Sequence, residues 1–235
     1  ASQGMDLVAV ASYYRRYPVV AIVPDGSAVR TASDIKGRRV GVPMRSGETW
    51  LGLLAMLKSA GLTEADITVV EVGFSQQAAL KANRVDVIMG FSNNDLIQFG
   101  RARLASRAIP LTSGEPPLVS IQLITTRRYL TEHPDAVRGV ANAMVAGMEQ
   151  AASDPAGAVV DSAEWVPTLT QQAAAADALA TLEATTALFR SEDGTISGRV
   201  DEARFTVMVD FLKTSGLVRG TLDSATLVAG SVVTK

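Results

Sequence analysis

Between residues 39 and 101 the sequence passes three times from a short apolar run, through a polar turn, into a helical pattern, and nothing else in it restricts the fold so tightly. Arg39–Val42 reads as a short buried strand. The turn through Pro43, Met44, Arg45, Ser46 and Gly47 leads into a helix whose apolar face is Leu51, Leu54, Ala55 and Leu57 and whose stop is Gly61. The second pass is a strand over 67–72, the turn Gly73-Phe74-Ser75 and a helix over 76–82. The third is a strand over 85–91, the turn Ser92-Asn93-Asn94 and a helix over Asp95–Arg101. Strands joined through helices cross over and lie parallel, because a tight hairpin joins only antiparallel neighbours. The rhythm therefore predicts an α/β fold with a mainly parallel sheet.

Either side of this block the texture differs. Residues 6–14 and 18–23 read as strands, followed by the turn Pro24-Asp25-Gly26. Residues 31–37 read as one helical turn, opened by hydroxyl or Asp capping and closed by Gly37. Residues 118–125 give one more strand, and nearly everything after it is helical: 134–152, 156–166, 171–188 and 201–215. The first of these carries Val137, Val140, Ala141, Met144, Val145 and Met148 at helical spacing. Arg101, Arg103 and Arg107 read as a charged surface, and His133 before Pro134 as a helix entrance.

Composition removes much chemistry. The chain of 235 residues holds no cysteine, which excludes disulfides, thiolate metal sites and Cys nucleophiles within it. A single histidine leaves no multi-His metal site. With 22 Lys+Arg against 24 Asp+Glu, the basic surplus of a general nucleic-acid binder is absent. No apolar run reaches the roughly 18 residues that span a bilayer. The chain opens without a basic, then apolar, leader pattern, so it is read either as cytosolic or as lacking a leader removed upstream.

In parallel sheets ligands bind beyond the carboxyl ends of the strands, which makes the three turns the candidate site. At the first, Ser46, Gly47, Glu48, Thr49 and Trp50 sit at a helix start, where free N–H groups favour an acceptor and Gly47 permits close approach. The plain alternative is a cap by Ser46 with nothing bound. At the second, Phe74 offers an aromatic face or simply packs in the core. At the third, Phe91 precedes two amides and a carboxylate, Asn93, Asn94 and Asp95, within one short arc. These suit a neutral or cationic polar ligand, or merely turn and cap chemistry. Tyr14, within Tyr13-Tyr14-Arg15-Arg16-Tyr17, presents a ring to a ligand or ends a strand among solvated arginines. Glu48 and Asp95 as an acid/base pair would have no nucleophile, metal set or phosphate loop beside them.

Several runs resemble a known family in order. They are Tyr17-Pro18 with the apolar 19–23; Ala32-Ser33-Asp34-Ile35-Lys36-Gly37-Arg38-Arg39-Val40-Gly41-Val42-Pro43; Val70-Glu71-Val72-Gly73-Phe74; Val85-Asp86; Gly90-Phe91; Leu130-Thr131-Glu132-His133-Pro134; and Asp210-Phe211-Leu212 to Gly216-Leu217. The sequence is similar to ABC-transporter solute-binding proteins of the family shared with thiamine-pyrimidine synthase. The resemblance implies a type II periplasmic-binding-protein-like fold, with two lobes of mainly parallel sheet, a helical C-terminal part and hinge closure over a ligand. It places 31–112 in a contiguous lobe, and 1–30 with 113–235 in a discontinuous one whose first strands precede this chain.

The same resemblance implies a binding protein, not an enzyme, outside the cytoplasm. It would serve an ABC permease, peripheral to the membrane or lipid-anchored through an upstream segment, with no cofactor, metal or nucleic acid. Ligands in the family include sulfonates, nitrate, thiamine-pyrimidine precursors and riboflavin. The amides with Phe74, Phe91 and Trp50 look like a site for a flat nitrogen heterocycle. Alternatives are a sulfonate- or nitrate-type anion, the enzyme branch of the family, whose cysteine-rich motif this chain lacks, and the effector domain of a transcription regulator.

Overall fold

The computed structural model describes residues 4–218, 220–230, 232 and 233; residues 1–3, at the opening of the chain, lie outside it. In chain order the elements are β1 (Leu7–Ser12), β2 (Val19–Pro24), β3 (Arg39–Val42), α1 (Gly47–Ser59), β4 (Thr68–Glu71), α2 (Gln76–Lys81), β5 (Val87–Phe91) and α3 (Asp95–Arg101). There follow β6 (Ser106–Ile109), β7 (Gln122–Thr126), α4 (Arg127–Glu132), α5 (Pro134–Ser153), α6 (Pro155–Ser162), α7 (Gln172–Phe189) and α8 (Glu202–Thr214). The chain divides into two compact units, 18–116 with 176–184, and 1–17 with 117–175 and 185–235.

The first unit is a five-stranded sheet of order β4-β3-β5-β2-β6. Strands β4 and β5 both pair parallel with β3, as the strand–turn–helix rhythm predicts. Strand β2 runs antiparallel to β5 and to β6, so the sheet is mixed. Strand β2 lies inside this sheet, hydrogen-bonded on both sides. The middle of α7 joins the same unit through Gln98 Nε2, which donates to Thr181 Oγ1, and through the Arg101–Asp177 ion pair. Strand β6 was missed: four residues give too short an alternation. Its Arg107 is no surface charge, since Nη2 donates to the carbonyls of Ser27 at 3.1 Å and Val29 at 2.5 Å.

Helix α1 packs through Trp50, Leu53, Met56 and Leu57, while Leu51 and Leu54 are only half-buried. The buried stripe differs from the expected one because Gly52 faces β2. A Cβ there would stand 2.8 Å from Val19 Cγ1, so the helix approaches the strand along its glycine. A separate apolar cluster gathers Ile22, Val72, Leu80, Val85, Ile88 and Phe99.

In the second unit β1 pairs antiparallel with β7, with a register irregularity between Ala9 and Ala11. Alternate residues of β1 serve different clusters. Val8 and Val10 meet Val137, Ala11 meets Ala141 and Val145, and Ala9 meets Phe205 and Val228. The buried stripe of α5 is Val137, Ala141, Val145 and Met148, four of the six expected positions; Val140 is exposed. Helix α4, not anticipated, starts where Thr126 Oγ1 accepts from Tyr129 N–H at 3.1 Å, and His133 forms the junction to α5.

Gly41 fixes the centre of the first sheet. A Cβ on it would lie 2.6 Å from Ile88 Cδ1 and 3.2 Å from Val85 Cγ1, so a methyl group there overpacks the core. Gly41→Ala is expected to lower unfolding stability by about 1–3 kcal/mol in urea titration. Gly26→Ala, at an exposed turn with open space around it, should leave stability nearly unchanged. Equal effects would contradict this packing.

Candidate functional site

Parallel pairing of β3 with β4 and β5 brings the carboxyl ends of all three strands to one edge of the sheet. Val42 lies level with Glu71, and the following residues continue the contact: Val72 N–H donates to Val42 O at 2.9 Å and Gly73 N–H to Pro43 O at 3.1 Å. Antiparallel β2 begins at this edge, with Val19 opposite Phe91 and Ser92 N–H donating to Pro18 O at 2.9 Å. The topology thus brings the three candidate turns together.

The first turn enters α1 through Gly47, whose φ of +76° lies in the left-handed region that glycine tolerates. Ser46 stands at the cap position in extended backbone, but its side chain makes no capping hydrogen bond. The simple capping explanation for this serine is therefore not realised, and the first-turn N–H groups of α1 keep their acceptor preference. Thr49 and Trp50 depart from expectation. They lie on the inner face of α1, at 5% and 8% exposure, and the Arg45 guanidinium stands 5.0 Å from the Trp50 ring centroid. Trp50 is part of the core under a cation and presents no open face for stacking. Arg45, not singled out in the sequence, also pairs with Glu64 and, at 3.7 Å, with Glu71, tying the turn to the end of β4.

Phe74 at the second turn is 85% exposed, so the core alternative fails and its ring faces solvent. Ser75 Oγ donates to Val72 O, bracing that turn. At the third turn Phe91 is half-buried, Asn93 is buried and Asn94 is exposed. Asn94 occupies the cap position of α3 without a side-chain capping bond. Asp95 turns back on its own strand: Oδ2 accepts from Phe91 N–H at 2.7 Å and would be 2.9 Å from a Cβ on Gly90. It is a brace for the turn as much as a candidate ligand group.

Tyr14 belongs to the other unit. Its ring stacks on Tyr13 with centroids 4.8 Å apart, and both approach Phe189, at 6.0 Å from Tyr14 and 5.2 Å from Tyr13. Burial, and then the neighbouring Tyr14, push the Tyr13 hydroxyl pKa up. The arginine that follows is not solvated as expected: the Arg15 side chain is 22% exposed.

Burial also raises the pKa of Glu48 and Asp95; for Asp95 the Phe91 N–H opposes the shift without reversing it. Glu48 sits in the first turn of α1, where the helix dipole favours a negative charge, yet desolvation prevails. Among the described residues no group of three or more His, Cys, Asp or Glu side chains could hold a metal ion.

The sequence profile described as NMT1/THI5 like matches residues 1–158, and the chain belongs to that family. It is 28% identical over 165 residues to the riboflavin-binding protein RibY of Chloroflexus aurantiacus, covering 70% of this chain and 47% of RibY. It is 28% identical over 154 residues to a putative thiamine biosynthesis protein of Haemophilus influenzae, covering 65% of this chain and 47% of that protein. The chain thus spans about half the length of these curated relatives. Among solved structures, the periplasmic aliphatic sulphonate binding protein SsuA of Escherichia coli superposes with a TM-score of 0.73 at 18% identity, covering 98% of this chain and 71% of that one. At such identity the likeness concerns the fold, and it bears out the periplasmic-binding-protein-like class. No helix among the described residues is long and apolar enough to cross a membrane.

A carboxyl whose pKa is higher folded than unfolded favours the folded chain while protonated; that stability is lost as pH rises through the folded pKa. The double variant Glu48→Gln/Asp95→Asn should therefore be more stable than wild type near pH 7. The gain should vanish at about pH 3, below the ordinary carboxylate range. Urea unfolding at both pH values checks this; a loss confined to neutral pH would mean that the two charges are favourably held.

Proposed function

We propose that this chain is the solute-recognising part of an extracytoplasmic binding protein that serves an ABC permease, and that it does no chemistry on its solute. We infer further that the solute is a small flat nitrogen heterocycle of the pyrimidine or flavin kind. One observation carries the reading: three turns on a single sheet edge combine an exposed ring, Phe74, a half-buried ring, Phe91, and the amides of Asn93 and Asn94. A ring stacks on a heterocycle while amides match its mixed donors and acceptors. Family membership and the riboflavin-binding name of one relative support this reading.

A sulfonate- or nitrate-type anion is the second reading. It is favoured by the start of α1, where Gly47 is open and Ser46 makes no side-chain cap, and by the sulphonate-binding structure of the same fold. An enzyme of thiamine-pyrimidine biosynthesis is a third, favoured only by the name of the Haemophilus relative.

Calorimetry with riboflavin, the thiamine pyrimidine, taurine and nitrate separates these readings. The heterocycles should bind. Phe74→Ala should weaken them by roughly twofold to twelvefold, from the 0.5–1.5 kcal/mol that stacking adds. Asn94→Leu should weaken them about tenfold or more, because a polar group of the bound ring is left unmatched. Binding of taurine or nitrate alone, indifferent to Asn94→Leu, would overturn the heterocycle reading. Turnover of the pyrimidine would overturn the non-enzymatic one.

A further inference from the structure

Strand β1 pairs with β7 as far as Ser12, opposite Gln122. Tyr13 N–H still reaches Ile121 O at 3.0 Å, but Arg15 N–H turns away to Leu188 O at 2.7 Å, so the pairing stops there. Beyond the last pair lies a small polar recess whose wall includes Arg15, Leu118, Ser120, Gln122 and Asp201. Its enclosed space measures about 10 Å³, close to what a single water needs. Three polar atoms of the wall residues, Arg15 Nε, Ser120 Oγ and Gln122 Oε1, are buried and find no hydrogen-bond partner among the described residues. Buried polar atoms are almost always satisfied, if not by protein then by an ordered water.

The bonds around the recess explain why these three atoms are left over. Gln122 Nε2 donates to Ser12 Oγ at 3.1 Å, Ser120 O at 3.2 Å and Ile121 O at 3.0 Å, which sets the carboxamide with Oε1 as its acceptor. Ser12 Oγ donates in turn to Tyr14 O at 3.0 Å. Arg15 Nη1 donates to Arg199 O at 2.6 Å, and Nη2 stands 4.0 Å from Asp201 Oδ2, which leaves Nε–H. The wall thus presents a group that only donates, a group that only accepts and a hydroxyl that does either. A metal cation cannot accept from Nε–H, and a monatomic anion cannot donate to Oε1. Water does both, and the space fits it.

We propose that this recess is a site for one structural water, which accepts from Arg15 Nε–H, donates to Gln122 Oε1 and bonds the Ser120 hydroxyl. The water carries the β1–β7 pairing past its last direct pair and ties residue 15 to residues 120 and 122. From these segments the chain passes to the sheet-edge unit, between residues 17 and 18 and between 116 and 117. The water therefore braces the roots of two connections at the point where backbone pairing has ended. The site is independent of the sheet-edge turns and stands whether or not they hold a heterocycle.

The test joins a high-resolution crystal structure of the whole chain to amide hydrogen exchange in solution. The crystal should show one oxygen at about 2.7–3.2 Å from Arg15 Nε, Ser120 Oγ and Gln122 Oε1. In Ser120→Ala, a change small enough to leave the fold intact, the water loses one of its three partners. Exchange at the Tyr13 and Arg15 amides should then quicken severalfold, while exchange at Val145 in α5 stays as it was. Three results would overturn the proposal. One is a recess with no oxygen in reach of at least two of the three atoms. Another is an ion, or the hydroxyl of a bound solute, in its place. The third is exchange at Tyr13 and Arg15 unchanged in Ser120→Ala.

Discussion

The parallel pairing of β3 with both β4 and β5 is the constraint on which the candidate site depends. Parallel strands cannot be joined by tight turns, so each carries a helix back across the sheet, and each helix begins where its strand ends. That places the starts of α1, α2 and α3 on one edge without any residue of the turns having to enforce it. Gly41 lets this sheet pack closely, since a Cβ at that point of β3 would stand 2.6 Å from Ile88 Cδ1 and 3.2 Å from Val85 Cγ1. The turns are left free to vary in chemistry: an aromatic ring at Phe74, amides at Asn93 and Asn94, an open helix start at Ser46 and Gly47.

Charge is handled differently in the two units. On the sheet-edge unit, exposed ion pairs such as Arg39 with Asp86 and Arg45 with Glu64 join neighbouring elements, and each contributes little on its own. The partly buried carboxyls Glu48 and Asp95 hold their protons more tightly than exposed ones. In the β1–β7 unit, Arg15 Nη2 stands 4.0 Å from Asp201 Oδ2, and Arg204 Nη2 donates to Leu118 O at 2.9 Å.

Much of this was legible in the sequence because periodicity and turn chemistry are local. The strand Arg39–Val42 and the helix Asp95–Arg101 came out with their observed bounds, and the buried stripe of α5 followed from its spacing. What escaped was set by distant partners. Strand β6 exists because β2 offers it an edge, and β2 sits with β5 although 62 residues of chain (from Pro24 to Val87, counted exclusively) intervene. Trp50 and Thr49 read as site residues because they follow a glycine turn, but the rotation of α1 set by Gly52 against Val19 turns them inward.

Amide hydrogen exchange with and without riboflavin tests most directly the claim that the three turns receive the solute. The account predicts that exchange slows in 43–49, 72–76 and 91–95 together, because a ligand on that edge covers all three turns at once. Slowing confined to α5 and α6, with these segments unchanged, would contradict it.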